Sequence, residues 1–139
     1  MSSHISTPTG SNRRDRLAQT VAGIVGAMFV VFGVWALVAP QGFFDTVALF
    51  EPYNPHFIHD IGAFQIGLGA VLLLALFVAD ALLVSLAGVA VAATLHLVSH
   101  VIDRDMGGTP GTDIPFFAVI SVVLIAAAAT RAGTATKRR

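Results

Sequence analysis

The chain has 139 residues, of which 55% are hydrophobic and 12% are charged, whereas a soluble globular domain usually carries about 25% charged residues. This deficit predicts a single small membrane domain. The formal net charge is zero, so the basic excess of a nucleic-acid-binding protein is missing and no nucleic-acid partner is expected. The chain contains no cysteine, which excludes disulfides, thiolate metal sites, iron–sulfur clusters and thiol redox chemistry.

Four stretches are long and apolar enough to cross a bilayer, for which a helix needs about 20 mostly apolar residues. The first to fourth predicted spans cover residues 17–39, 57–79, 81–102 and 114–130. Asp80 marks a tight turn between the second and third spans, and prolines break the chain in the other two connections. Asp113, followed by Ile114 and Pro115, predicts the N-cap of the fourth span. We therefore expect an all-α, four-helix transmembrane bundle with up-down-up-down connectivity.

The distribution of basic residues predicts the orientation of this bundle. Seven of the eight lysines and arginines lie before the first span or after the fourth, and Arg104 is the exception. By the positive-inside rule both termini are cytoplasmic, as an even number of spans allows, in a multi-pass protein of the plasma membrane. Residues 1–16 are polar and predict a disordered cytoplasmic leader. Residues 131–139 form a basic cytoplasmic tail that would contact anionic lipid.

Several glycines lie within the predicted spans, where small residues let membrane helices pack closely. Packing inside the bundle is the simpler interpretation, and the seam of a homo-oligomer is the alternative. These residues are Gly23, Gly26, Gly33, Gly62, Gly67, Gly69 and Gly88.

Ionisable side chains within or beside membrane spans are costly, and they are candidates for function by default. Four of the five histidines fall in two short windows, one opening the second span and one closing the third. Because these spans are joined at Asp80, residues equally far from Asp80 along the two spans should face each other. Asp60 would then face His100, to within about one helical turn.

Helical spacing within each window predicts a metal site. His56 and Asp60 are four residues apart, as are His96 and His100, so each pair shares one face of its helix. If the two faces meet, they form a site of three histidines and one carboxylate, which suits a transition metal such as zinc, copper or iron. We predict that these four residues bind a metal on the outer side of the membrane. An open coordination position there would support redox or hydrolytic chemistry.

Three further residues are expected to support this site. His59 could replace His56 as a ligand or hydrogen-bond to one, Asp103 could orient His100, and Gln65 could donate a hydrogen bond within the bundle. The sequence leaves open whether His56 or His59 faces the interior, because the start of the helix is uncertain by two or more residues.

The same cluster has other interpretations. It could lock the second and third spans together or dock a partner, in a structural or accessory subunit of a larger membrane complex. Haem binding between facing histidines and proton-coupled transport are further alternatives. The first and fourth spans offer no charge to a transport path, which favours a site over a channel. Whether the protein is an enzyme is not decided by these residues.

Two sequence windows carry a family resemblance: YNxHFxHDxGAFQxGLG at residues 53–69 and HxxSHxxDRDxGG at residues 96–108. They resemble a group of small, uncharacterised actinobacterial membrane proteins. The pattern of Gly33, Pro40, Phe43 and Phe44 is also similar to the wider DoxX-like four-helix families. The resemblance extends from the first span to the fourth. It implies a four-helix membrane bundle and supplies no activity.

Overall fold

The computed structural model of the protein describes residues 10–78 and 80–136. Within these residues the chain is all-helical, without strands. Four of the described helices are long and apolar enough to cross a bilayer, and the fifth, α2, is short. This architecture indicates a multi-pass membrane protein. The helices are α1 (Gly10–Val38), α2 (Pro40–Thr46), α3 (Pro55–Leu74), α4 (Ala81–Ile102) and α5 (Pro110–Thr136).

The two terminal helices extend beyond the first and fourth predicted spans. Residues 10–16 were predicted to be disordered, but they form the first turns of α1; residues 1–9 lie outside the described residues. At the other end, residues 131–136 of the predicted tail continue α5, and residues 137–139 are not described. An ion pair connects these two helix extensions. Arg131 Nη1, near the end of α5, lies 3.2 Å from Asp15 Oδ1 near the start of α1.

The turn between α3 and α4 lies where the sequence predicts it, although α3 ends earlier than the second span. Asn54 caps α3, since its Oδ1 accepts hydrogen bonds from the backbone N–H groups of His56 and Phe57. The helix ends at Leu74, and residues 75–78 form turns where a continuous span to residue 79 was predicted. Asp80 adopts a left-handed φ of 61° immediately before α4, which aspartate tolerates better than most residues.

The start of α5 differs from the prediction. Asp113 was expected to be the N-cap, but the helix begins at Pro110, and proline fits the first helical position because it has no N–H to satisfy there. Asp113 instead lies in the first turn, where its carboxylate accepts hydrogen bonds from the backbone N–H and the hydroxyl of Thr109, at 2.7 and 2.9 Å. This arrangement fixes the side chain of Asp113 at one end of the bundle.

The short helix α2 was not predicted from the sequence. It follows α1 directly, and Pro40 stands at its first position. It buries Phe43 and Phe44 in a small apolar cluster at the end of the bundle opposite the termini. The indole of Trp35 packs edge-on against the ring of Phe43, with 5.5 Å between the ring centroids.

The order of packing also differs from the prediction. The second and third spans were expected to face each other, but α3 packs mainly against α1, α4 packs mainly against α5, and α3 and α4 touch only sparsely. Small residues cause the close approach of α1 and α3. The backbone carbonyl oxygens of Gly26 and Gly33 lie 2.6 and 2.8 Å from where a Cβ atom would stand on Gly69 and Gly62, respectively.

Candidate functional site

The side chains at the start of α3 form a pair of their own. His56 Nε2 lies 3.6 Å from Asp60 Oδ2, one helical turn away. The two side chains are 85% and 55% exposed, and His59 is exposed as well. An ion pair with this exposure contributes little to stability.

The two histidines near the end of α4 contact each other directly. His96 Nε2 and His100 Nε2 are 3.1 Å apart, and the ring centroids are separated by 4.8 Å. For this contact to be a hydrogen bond, one Nε2 must carry a proton and donate while the other accepts, so at least one imidazole is neutral. The i, i+4 spacing on a regular helix produces the contact.

Asp113 of α5 joins this pair from the neighbouring helix. His100 Nδ1 lies 3.9 Å from Asp113 Oδ2, and both side chains are 17% exposed. Since Thr109 already holds the Asp113 carboxylate through two hydrogen bonds, the acidic group has a fixed position beside the imidazole. The result is a row of three polar side chains, His96, His100 and Asp113, which runs across the contact between α4 and α5.

Phe117 covers one side of this row. It lies one turn beyond Asp113 on α5, and its ring centroid is 4.3 Å from that of His96 and 4.7 Å from that of His100. Both imidazoles therefore pack against one aromatic ring on that side, although His96 remains exposed. This packing limits their rotation, which favours a defined geometry at the Nε2 atoms.

A cavity of about 990 Å³ opens beside these side chains, at the end of the bundle opposite the termini. Its volume is at the upper end of the roughly 300–1,000 Å³ that is usual for small-molecule sites. All five helices contribute to its wall, which is mainly apolar and rich in phenylalanine. Most of the polar side chains in the wall belong to α4, to α5 or to the loop between them. The polar residues are Gln65, His96, Ser99, His100, Asp103, Arg104, Thr112 and Asp113.

One face of α3 lines the cavity, and it is not the face that carries the histidines. Phe57, Ile61 and Gln65 are spaced by four residues and all line the cavity. His56 and Asp60 each precede a member of this row by one residue, so they lie about 100° away around the helix. The Oε1 atom of Gln65 is buried and has no hydrogen-bond partner among the described residues.

The structure thus brings together part of the predicted metal site. His96 and His100 meet at the cavity, whereas the two predicted ligands of α3 do not line it. Of the three residues expected to support the site, Asp103 and Gln65 line the cavity and His59 does not. Within residues 10–78 and 80–136, no three His, Asp or Glu side chains are grouped in a way that could hold a metal ion.

Two members of the site were missed from the sequence. Asp113 was interpreted only as a helix cap, and Phe117 was not singled out. The signal was present, because the two residues are four apart at the start of the fourth span. That start lies at the same end of the bundle as the close of the third span, so both side chains could have been placed near His96 and His100.

Comparison of the chain with protein-family models, with curated proteins and with solved structures gives no match.

Proposed function

We propose that this protein binds an amphipathic small molecule in the cavity at the end of its four-span bundle. The observation that carries the proposal is the division of the cavity wall. α1 contributes apolar side chains such as Met28, Phe29 and Phe32, whereas the row of His96, His100 and Asp113 comes from α4 and α5. A large apolar pocket with a few convergent polar groups is the usual form of a small-molecule site.

The orientation in the membrane forms part of the proposal. The basic residues before α1 and after α5 favour a cytoplasmic position for both termini. Since the cavity lies at the opposite end, it would open on the outer side of the plasma membrane. A ligand could then arrive from the external solution or from the outer leaflet.

The polar row suits recognition of a head group with both donor and acceptor capacity. The pair of imidazoles presents ring N–H groups and ring nitrogen lone pairs, and their roles exchange when the tautomers change. The adjacent carboxylate of Asp113 favours an N–H on the facing Nδ1 of His100. The apolar wall supplies most of the affinity, at about 25 cal/mol per Å² of apolar surface buried.

The sole tryptophan provides a test of this proposal. Trp35 packs on Phe43, and the Phe43 ring lines the cavity, so a brominated long-chain alcohol bound there should quench its fluorescence. In lipid nanodiscs we expect saturable quenching for the wild type. Ser99→Phe, which adds a ring to the cavity wall beside the two histidines, should abolish the saturable part.

Val98→Phe is the matched control, because the neighbouring side chain does not line the cavity and is 45% exposed. The saturable quenching of Trp35 fluorescence in this variant should equal that in the wild type. If Ser99→Phe and the wild type give the same saturable quenching, the cavity is not the binding site.

A second candidate function is the binding of a transition metal by His96 and His100. The observation that favours it is the 3.1 Å separation of the two Nε2 atoms. Two imidazole nitrogens bound to one tetrahedral zinc ion at about 2.0–2.1 Å lie roughly 3.3 Å apart. Asp113 beside His100 Nδ1 also resembles the carboxylate that commonly orients a metal-bound histidine. Zinc, copper and iron are the metals to consider.

Elemental mass spectrometry of protein purified without chelators tests this candidate. Near one equivalent of a single transition metal, lost in His100→Ala, would support it. His56→Ala then separates two versions of the site, since metal is retained if the α4 pair binds alone and is lost if the four residues predicted from the sequence bind together. Absence of metal after zinc, copper and iron have been supplied would leave the pair as part of the packing of α4 against Asp113 and Phe117 of α5, as in a structural or accessory subunit.

A further inference from the structure

One polar side chain of the cavity wall carries an acceptor without a donor. Gln65 Oε1 is buried and has no partner among the described residues, although the side chain lines the cavity. Leaving such a group unsatisfied costs about 1–3 kcal/mol. Only an O–H or N–H donor can satisfy it. Because the Gln65 side chain lines the cavity, a turn of its amide group would bring Oε1 to a ligand there, and that ligand gains from carrying a donor at this depth.

The position of Gln65 constrains the charge of that donor group. It lies ten residues after the start of α3 at Pro55, which is about 15 Å along the helix at 1.5 Å per residue. This is roughly half of the 30 Å hydrocarbon thickness of a bilayer. A charged head group at such a depth is costly, whereas a neutral hydroxyl that is hydrogen-bonded carries a much smaller penalty.

The other charged groups of the cavity offer little to an ionic head group. The two oxygens of Asp113 already accept hydrogen bonds from Thr109, and Arg104 Nε lies 3.6 Å from the neighbouring Asp105 carboxylate. At least one of His96 and His100 is neutral while they share a hydrogen bond. The charged side chains of the wall, Asp103, Arg104 and Asp113, all lie just after the end of α4 or in the first turn of α5. None of them is therefore placed to neutralise a charged head group at the depth of Gln65.

The packing of the helices indicates the bilayer as the source of the ligand. Both α3 and α4 line the cavity, yet they touch each other only sparsely beyond the turn that joins them. Both helices also carry exposed apolar side chains, with Phe64 76% exposed on α3 and Leu95 63% exposed on α4. A lipid-dissolved molecule could enter between these two helices without crossing a packed interface.

We propose that the ligand is a neutral, single-chain lipid from the bilayer whose hydroxyl group donates a hydrogen bond to Gln65 Oε1. This inference rests on the proposed function, and it adds the class of ligand and the residue that selects it. The hydroxyl oxygen would retain lone pairs for an N–H donor of the nearby imidazole pair. The alkyl chain would lie against the phenylalanine-rich wall.

Photolabelling in proteoliposomes tests this assignment with four probes that differ only in the head group. Each is a hexadecyl chain bearing a diazirine, ending in a hydroxyl, a methyl ether, a carboxylate or an amine. The alcohol should label peptides of the cavity about fivefold more than the ether, the effect of one net hydrogen bond. In Gln65→Met this ratio should fall to near one, and in Gln41→Met, at an exposed site outside the cavity, it should be unchanged.

The outcomes separate the inference from the proposed function. If alcohol and ether label the cavity equally in the wild type, if Gln65→Met keeps the preference, or if the acid or amine labels best, the assignment of a neutral hydroxyl to Gln65 is overturned while ligand binding stands. If none of the four probes labels the cavity, both are overturned. The comparison of alcohol with ether in the wild type needs no variant, so poor folding of Gln65→Met would not remove the test.

Discussion

The close crossing of α1 and α3 makes a sharp prediction for the replacement of Gly69 by alanine. A Cβ atom on Gly69 would lie 2.6 Å from the carbonyl oxygen of Gly26 and 2.8 Å from a methyl carbon of Val30. Real Cβ atoms essentially never approach another heavy atom to less than 3.0 Å. The first contact is therefore too short by 0.4 Å, and its partner is backbone, which cannot rotate away.

The size of the effect follows from what must move. Relief of the clash requires that α1 and α3 separate, and that movement would also loosen the second close crossing at Gly33 and Gly62. Overpacking of one methyl group in a well-packed interface costs about 1–3 kcal/mol. We expect Gly69→Ala to destabilise the fold by about 2 kcal/mol, which corresponds to a decrease in Tm of roughly 5–10 °C.

Gly67→Ala is the matched control, two residues away on the same helix. A Cβ atom at Gly67 would meet nothing within 4 Å, and alanine favours the helix by up to about 1 kcal/mol relative to glycine. Its Tm should equal or exceed that of the wild type. Both values can be measured in detergent from the loss of the native peak on size-exclusion chromatography after heating. Equal melting of Gly69→Ala and Gly67→Ala would refute the close contact of α1 with α3.

The remaining predictions use the same melting assay. Arg131→Gln should destabilise the protein by about 2 kcal/mol, because it leaves the mostly buried Asp15 without this ion pair. Arg104→Gln removes an exposed pair and should change stability by less than about 0.5 kcal/mol; similar effects of the two substitutions would contradict the buried contact. Asn54→Ala should cost about 1 kcal/mol through loss of the cap of α3. Asp113→Ala removes two hydrogen bonds at the start of α5 and should cost about 2 kcal/mol; a neutral result would argue against its fixed position beside the histidines.

The elements of the bundle could be predicted because each depends on local composition. Long apolar runs predicted four helices, and the part of the chain that the structure describes contains four that are long and apolar enough to span a membrane. Asp80 marked the turn before α4, and the chain turns there with Asp80 in a left-handed conformation. The short helix α2 was missed because its seven residues are too few for a periodic pattern and lie in a segment with proline.

The arrangement of the helices could not be predicted in the same way. Connection by a short turn suggested that α3 and α4 pack face to face, but the glycines of α1 and α3 allow a closer contact and draw α3 towards α1. A rotation of one residue around α3 then decides which side chains reach the interior, and it places Phe57 and Ile61 at the cavity instead of His56 and Asp60. The pair of His96 and His100 was foreseen because it depends on spacing within one helix.

Native mass spectrometry of protein released from lipid nanodiscs tests the central claim most directly, since it counts bound molecules. We expect each wild-type chain and each Val98→Phe chain to retain one amphipathic molecule. Ser99→Phe should retain none, because its added ring occupies the cavity beside the histidines. A wild-type protein released free of any such molecule, or an adduct retained equally by Ser99→Phe, would contradict the assignment of the cavity as a ligand site.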